Sequence, residues 1–167
     1  MEEINLFLAH AVELECESAR RYEELAESMR ADGNKAVEKF FRKMATFSRK
    51  HLADAIARGG FRRLPALEPH EYTWAGGVSP EQFGWIGVDA MMDVHLALEL
   101  ALDSERRGQA FYAGFAAGSA DPDVKHMALE FAAEEAEHVA ELEKWIDRYA
   151  VQEDRSYLST ANRKPEA

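Results

Sequence analysis

The feature that most constrains this chain is a repeat. Residues 37–51 place Val37, Phe40, Met44, Ala45, Ser48 and His51 where residues 124–138 place Val124, Met127, Phe131, Ala132, Glu135 and His138, at one constant offset. Apolar residues three and four apart mark one face of an amphipathic helix. The segments ahead of these two repeat as well: Glu15 stands seven residues before Tyr22, and Glu105 seven before Tyr112. Two helix pairs of one design imply a pseudo-twofold axis, and a shared site would lie on it. The expected fold class is therefore all-α, a four-helix bundle.

The helix limits follow from caps and breakers. The first helix reads from about Ile4 to Met29, with Leu8, Ala11, Ala19, Tyr22, Ala26 and Met29 as its stripe and Glu15 and Ser18 within it. Asp32-Gly33-Asn34 is a turn. The second runs from about Ala36 to Arg58 and ends at Gly59-Gly60. Residues 59–89 carry Pro65, Pro69, Gly76-Gly77 and Pro80, and Ser79-Pro80-Glu81-Gln82 has the form of a helix start. So long a connection is a crossover, which lets the third helix run parallel to the second. The third helix begins between Asp89 and Asp93 and reaches about Ala117. Its stripe is Met91, Val94, Leu98, Leu102, Glu105, Gln109, Tyr112 and Phe115, and Gly108, one turn past Glu105, would permit close helix approach. Asp121 caps the fourth helix, Pro122 opens it, and its stripe continues to Tyr149. Residues 1–150 then form the bundle domain, and 151–167, which lack a clear period, a C-terminal tail.

Composition narrows the function. A net charge of −11 argues against nucleic acid or an anionic membrane as partner. No apolar run approaches the length of a membrane span. The start, Met-Glu-Glu-Ile-Asn, has no basic and apolar leader pattern, so a cytoplasmic location is expected. Cys16 is the single cysteine, which excludes an intrachain disulfide or a thiolate iron centre within this chain.

Five residues on the four apolar stripes do not belong in an apolar core: Glu15, His51, Glu105, Glu135 and His138. Glu135 and His138 are one turn apart and project the same way. A carboxylate buried alone would cost several kcal/mol or turn neutral. A metal ion removes that cost and uses the imidazoles too. A mixed Glu/His set suits iron, manganese or zinc better than calcium or magnesium. The other polar groups read as structural. Tyr22 and Tyr112 are core residues with satisfied hydroxyls. His95 lies about three turns from Glu105. His10, about 140° around the helix from Glu15, and His126 fall on the surface. Glu17, Glu134 and Glu137 are solvated, and Cys16 packs beside the stripe.

These residues carry a resemblance. Glu15…Tyr22, Met44-Ala45…His51, Glu105…Phe111-Tyr112 and Phe131-Ala132-x-Glu134-Glu135-x-x-His138 are similar to the ferritin-like superfamily, and within it to rubrerythrin-like proteins that lack a rubredoxin domain. The likeness covers residues 4–149. It implies a ferritin-like bundle whose di-metal site takes one Glu from each of two helices and Glu-x-x-His from the other two. It also implies iron, expected as a di-iron pair, and chemistry with oxygen or peroxide. One position departs from the pattern: helix two reads Ser48-x-x-His51, where the family has a glutamate that helps bridge the metals. No nearby acid replaces it. Four glutamates balance two divalent ions, and three leave one positive charge over. The resemblance therefore implies a rubrerythrin-like oxidoreductase at an asymmetric site, supplied with electrons by a separate donor protein. A non-catalytic protein that binds or sequesters metal is the alternative. A homodimer is expected.

Overall fold

The computed structural model describes residues 2–60, 64–74, 77–80 and 92–161, with side chains described as far as Val151 in the last helix. Four helices carry the fold: α1 (Glu3–Ala31), α2 (Lys35–Gly59), α3 (Val94–Gly118) and α4 (Pro122–Ala161). A 3-10 turn, Pro69–Glu71, lies in the crossover, and no strand occurs among the described residues. The expected all-α bundle with a long connection between its second and third helices is what forms.

Side-chain caps open α2, α3 and α4, that of Asp121 as expected. Asn34 Oδ1 accepts the Val37 N–H at 3.2 Å, Asp93 Oδ1 accepts those of His95 and Leu96, and Asp121 Oδ1 accepts that of Asp123 at 2.9 Å. Each bond satisfies a donor that the first helical turn leaves open. Gly33 and Gly60 take φ of 78° and 56°, the left-handed region that ends α1 and α2 without strain.

α1 packs along α2 and α3 along α4, while α1 also meets α3 and α4. Tyr22 of α1 reaches Glu105 of α3, and Tyr112 of α3 reaches Glu15 of α1, so these two helices run antiparallel. The short α1–α2 turn makes α2 antiparallel to α1 as well. α2 and α3 are therefore parallel, and the crossover exists to allow it. Two apolar clusters fill the bundle. One gathers Leu25, Met29, Phe40, Phe41, Met44, Leu98 and Leu142; the other gathers Phe7, Leu8, Leu14, Tyr112, Val124 and Phe131.

Several expectations are corrected here. His10 is fully buried, because the crossover lies over this side of α1. Its Nδ1–H donates to the Leu6 carbonyl at 2.8 Å, and its Nε2 accepts the Thr73 N–H at 2.9 Å. Tyr72, Trp74 and Phe111 surround the ring. Glu17 is buried too, since the Ser79 hydroxyl from the crossover bonds its carboxylate. Cys16, expected to pack, is exposed. α4 continues past Tyr149 to Ala161. An existing helix extends at one hydrogen bond per added residue, so it needs no apolar stripe to continue. Met91, and Glu81 and Gln82 of the helix start expected at Ser79–Gln82, lie outside the described residues.

Burial holds the His10 imidazole below its ordinary pKa of 6.5, against the raising effect of the Leu6 carbonyl. The folded state thus favours neutral His10. The stability this contributes is complete above the unfolded value and lost as pH falls below it. His10→Gln should lower stability at about pH 7.5 by about 1–3 kcal/mol. The wild-type should also lose more stability than the variant on going to about pH 5.5. Urea unfolding at the two pH values checks this, and equal losses in both proteins would exclude His10 from the acid response.

Candidate metal centre

Between the two apolar clusters lies a polar layer to which every helix contributes. On α1 it is Glu15 and Ser18, between Leu14 and Tyr22. On α2 it is Ser48 and His51, between Ala45 and Ala55. On α3 it is Glu105 and Gly108, between Leu102 and Tyr112. On α4 it is Glu135 and His138, between Ala132 and Leu142. All eight residues are buried. Helical spacing explains the layer: each pair is one turn long and replaces one turn of the apolar stripe.

Three of the five expected ligands converge. One donor atom from each of Glu105, Glu135 and His138 lies within 4.8 Å of the other two. His138 Nδ1 stands 3.2 Å from Glu105 Oε2 and 3.8 Å from Glu135 Oε2. Metal–ligand bonds of about 2.1 Å place donor atoms no more than about 4 Å apart. The group therefore fits one transition-metal ion with shifts of tenths of an ångström. On the α3 side Gly108 lies against Glu135. A Cβ there would stand 3.5 Å from the Glu135 carboxyl carbon and 3.7 Å from both its oxygens.

Glu15 and His51 stand beside this group and are not part of it. His51 Nδ1 is 3.8 Å from Glu15 Oε2, and the His51 ring stacks on His138 at 5.2 Å between centroids. The tyrosines are satisfied core residues, as their position implied. The Tyr112 hydroxyl donates to Glu15 Oε1 at 3.0 Å, and that of Tyr22 donates to Glu105 Oε1. Ser48 is buried and turned away from the ligands. Its hydroxyl donates to the Met44 carbonyl at 3.3 Å and meets the Ser18 hydroxyl at 3.0 Å.

The charge lies on the α3–α4 side. Burial opposes ionisation of Glu105, but hydrogen bonds from Glu135, His138 and Tyr22 outweigh it and hold its carboxyl below the usual range. Burial likewise opposes charge on His138, and the hydrogen bond and attraction of Glu105 raise it above its ordinary value. These contacts favour the carboxylate form of Glu105 and the charged form of His138, so a metal ion competes for its ligands with the protons that His138 and Glu135 hold there. His51 differs: burial, then repulsion by His138, lowers its pKa to about 4. It is neutral, with one ring nitrogen able to accept or ligate.

Glu134, expected to be solvated, is half-buried. Its Oε2 has no hydrogen-bond partner and lies 3.5 Å from His51 Nε2. Desolvation raises its pKa. Its place beside Glu135 concealed this, because helical phase puts it on the flank, and only the facing α2 buries it. A cavity of about 350 Å3 opens between α2 and α4 and reaches both histidines. Phe40, Met44 and Phe47 form its apolar side, and Lys43, Lys50, Glu137 and Glu141 its rim.

A rubrerythrin family profile matches residues 7–59 and 97–167. The chain belongs to the rubrerythrin family. Both matched segments end or begin at the crossover, so the likeness is to the four helices and the layer they hold. The crystal structure of an uncharacterised conserved protein from Magnetospirillum magnetotacticum MS-1 is similar at 44% identity and a TM-score of 0.71, over 85% of this chain and 92% of that one. No curated protein matches. Rubrerythrins are di-iron carboxylate proteins of the ferritin-like superfamily, and this member retains a carboxylate/histidine group able to hold a metal. Among the described residues, no helix is long and apolar enough to cross a membrane.

His138→Ala should lower the metal content of the purified protein at least several-fold and leave the helical circular dichroism nearly unchanged. Elemental analysis beside far-ultraviolet spectra checks both. An unchanged metal content would place the ligands elsewhere.

Proposed function

We propose that this protein is a metal-dependent oxidoreductase that acts on peroxide or oxygen, with iron as its metal, held by Glu105, Glu135 and His138. The convergence of those three donor atoms in a buried layer carries the reading. Bound iron would supply one-electron redox chemistry and open positions for a small oxidant. The chain's own residues prepare that setting. Glu105 and Glu135 match the charge of a divalent ion, and His138 completes a set that favours a transition metal. Tyr22 fixes the orientation of Glu105 by its hydrogen bond, and Tyr112 does the same for Glu15. The cavity beside His51 and His138 is wide enough for peroxide to enter, and the charged rim leaves it accessible from water.

Reducing one peroxide to two waters takes two electrons and two protons. Cys16 alone gives the chain no thiolate centre of its own, so the electrons come from a separate donor protein. A homodimer and a cytoplasmic setting belong to the same proposal. One observation favours the second reading, a protein that binds metal without turnover: the position of the bridging glutamate is held by Ser48, engaged with Ser18 rather than with the ligands.

The experiment is anaerobic loading with ferrous iron followed by rapid mixing with hydrogen peroxide. Oxidation of the bound iron within seconds, lost in His138→Ala, is the expected result. Tight binding of iron that peroxide leaves ferrous would support the binding protein instead.

A further inference from the structure

The two halves of the polar layer are related by the repeat, and they differ at two positions at once. On the α3–α4 side Glu135 lies against Gly108. On the α1–α2 side the equivalent of Glu135 is Ser48, and the equivalent of Gly108 is Ser18. Where one half has a long acid against a glycine, the other has two short hydroxyls against each other. A Cβ at Gly108 would already touch the Glu135 carboxyl at 3.5 Å. A hydroxyl one bond longer, pointed the same way, would occupy the space of the carboxylate itself. Ser18 does point that way, since its Oγ lies 3.0 Å from that of Ser48, and both residues are almost wholly buried, at 3% and 1% exposure.

We propose that Ser18 and Ser48 are a matched pair that fixes the centre at one metal ion, Ser18 filling the space a second bridging carboxylate would need. Ser48 accounts for the lost ligand, and Ser18 accounts for why that ligand alone cannot be put back. The two hydroxyls form a closed chain, Ser18 donating to Ser48 and Ser48 donating to the Met44 carbonyl, so neither is left to bind a cation. With Ser48 so engaged, Glu15 and His51 remain as the only ligands on this side that the repeat supplies. Ser18 thus acts as a determinant of metal stoichiometry although it is not itself a ligand.

The inference rests on the metal reading above, and its test has an arm that does not. Four proteins are compared: wild-type, Ser48→Glu, Ser18→Gly and the double variant. Each is saturated with ferrous iron under argon, desalted and analysed for iron. One ion per chain is expected in the first three and two in the double variant. Two ions in the wild-type, two in Ser48→Glu alone, or one in the double variant would overturn the proposal. The second arm measures melting temperature without metal. Ser18→Gly should lower it in the wild-type background, where a buried hydrogen bond is lost and a helix gains a glycine. In the Ser48→Glu background the same change should raise it, because room is made for the carboxylate. Failure of Ser48→Glu to fold, with folding restored in the double variant, would be the extreme of that result. Failure of both to fold, or a change of the same sign in both backgrounds, would overturn it. If no protein of the four holds iron, the metal reading fails, and the melting temperatures alone decide whether residues 18 and 48 compete for one space.

Discussion

A buried carboxylate must be compensated, and in this bundle that requirement shapes the middle of every helix. Glu105 is nearly inaccessible to water, at 2% exposure, and would turn neutral if its neighbours were apolar. It stays ionised because groups from two other helices converge on it. Tyr22 comes from α1, Glu135 and His138 from α4. Each of those groups must sit at the depth of Glu105, so the vertical register of α1, α3 and α4 is fixed by polar contacts. The apolar clusters above and below supply most of the stabilisation, and they would tolerate a sliding of one turn far better than the layer does. A metal ion that binds the folded layer and not the unfolded chain adds stability by mass action. In the metal-free protein the Glu105–His138 ion pair offsets part of the cost of burial.

Much of this was legible in the sequence, and the reason is periodicity. Glu15, Ser48, His51, Glu105, Glu135 and His138 stand on the apolar stripes, and the structure buries all of them. The long connection also carried the parallel relation of the second and third helices. What was missed lies where another element covers a helix flank. His10, Glu17 and Glu134 are all out of phase with the stripes. The crossover buries the first two by bringing Thr73, Trp74 and Ser79 over α1, and α2 buries the third. One signal was present for His10: Phe7, His10 and Leu14 share helical spacing, which makes the buried face of α1 wider than a single stripe. Nothing comparable marked Glu17 or Glu134, since the residues that cover them are far away in sequence. The exposure of Cys16 has the same origin, because a residue next to Glu15 in sequence lies about 100° around the helix.

The repeat makes the departure of the first half informative. Both halves have the same backbone plan, the same tyrosine-to-glutamate bond across the axis, and a histidine at the same level. Their electrostatics are nevertheless opposite. His138 faces Glu105 and Glu135 and is pushed toward its charged form, while His51 faces His138 and a more distant Glu15 and is held neutral, with a pKa of about 4. Two like imidazoles 5.2 Å apart cannot both carry charge at small cost, so protonation of one keeps the other neutral. The partner that raises His138 is Glu105, at 3.2 Å, and its counterpart Glu15 stands farther from His51, at 3.8 Å. Charge is therefore favoured on the α3–α4 side. The cavity between α2 and α4 opens at the boundary between the two states, with a neutral ring on one wall and an ionised pair on the other. A molecule entering there meets one ring that can accept a hydrogen bond and, opposite it, one whose proton a cation can replace. That division follows from how far each histidine stands from the glutamate opposite it, 3.2 Å for His138 and Glu105 and 3.8 Å for His51 and Glu15.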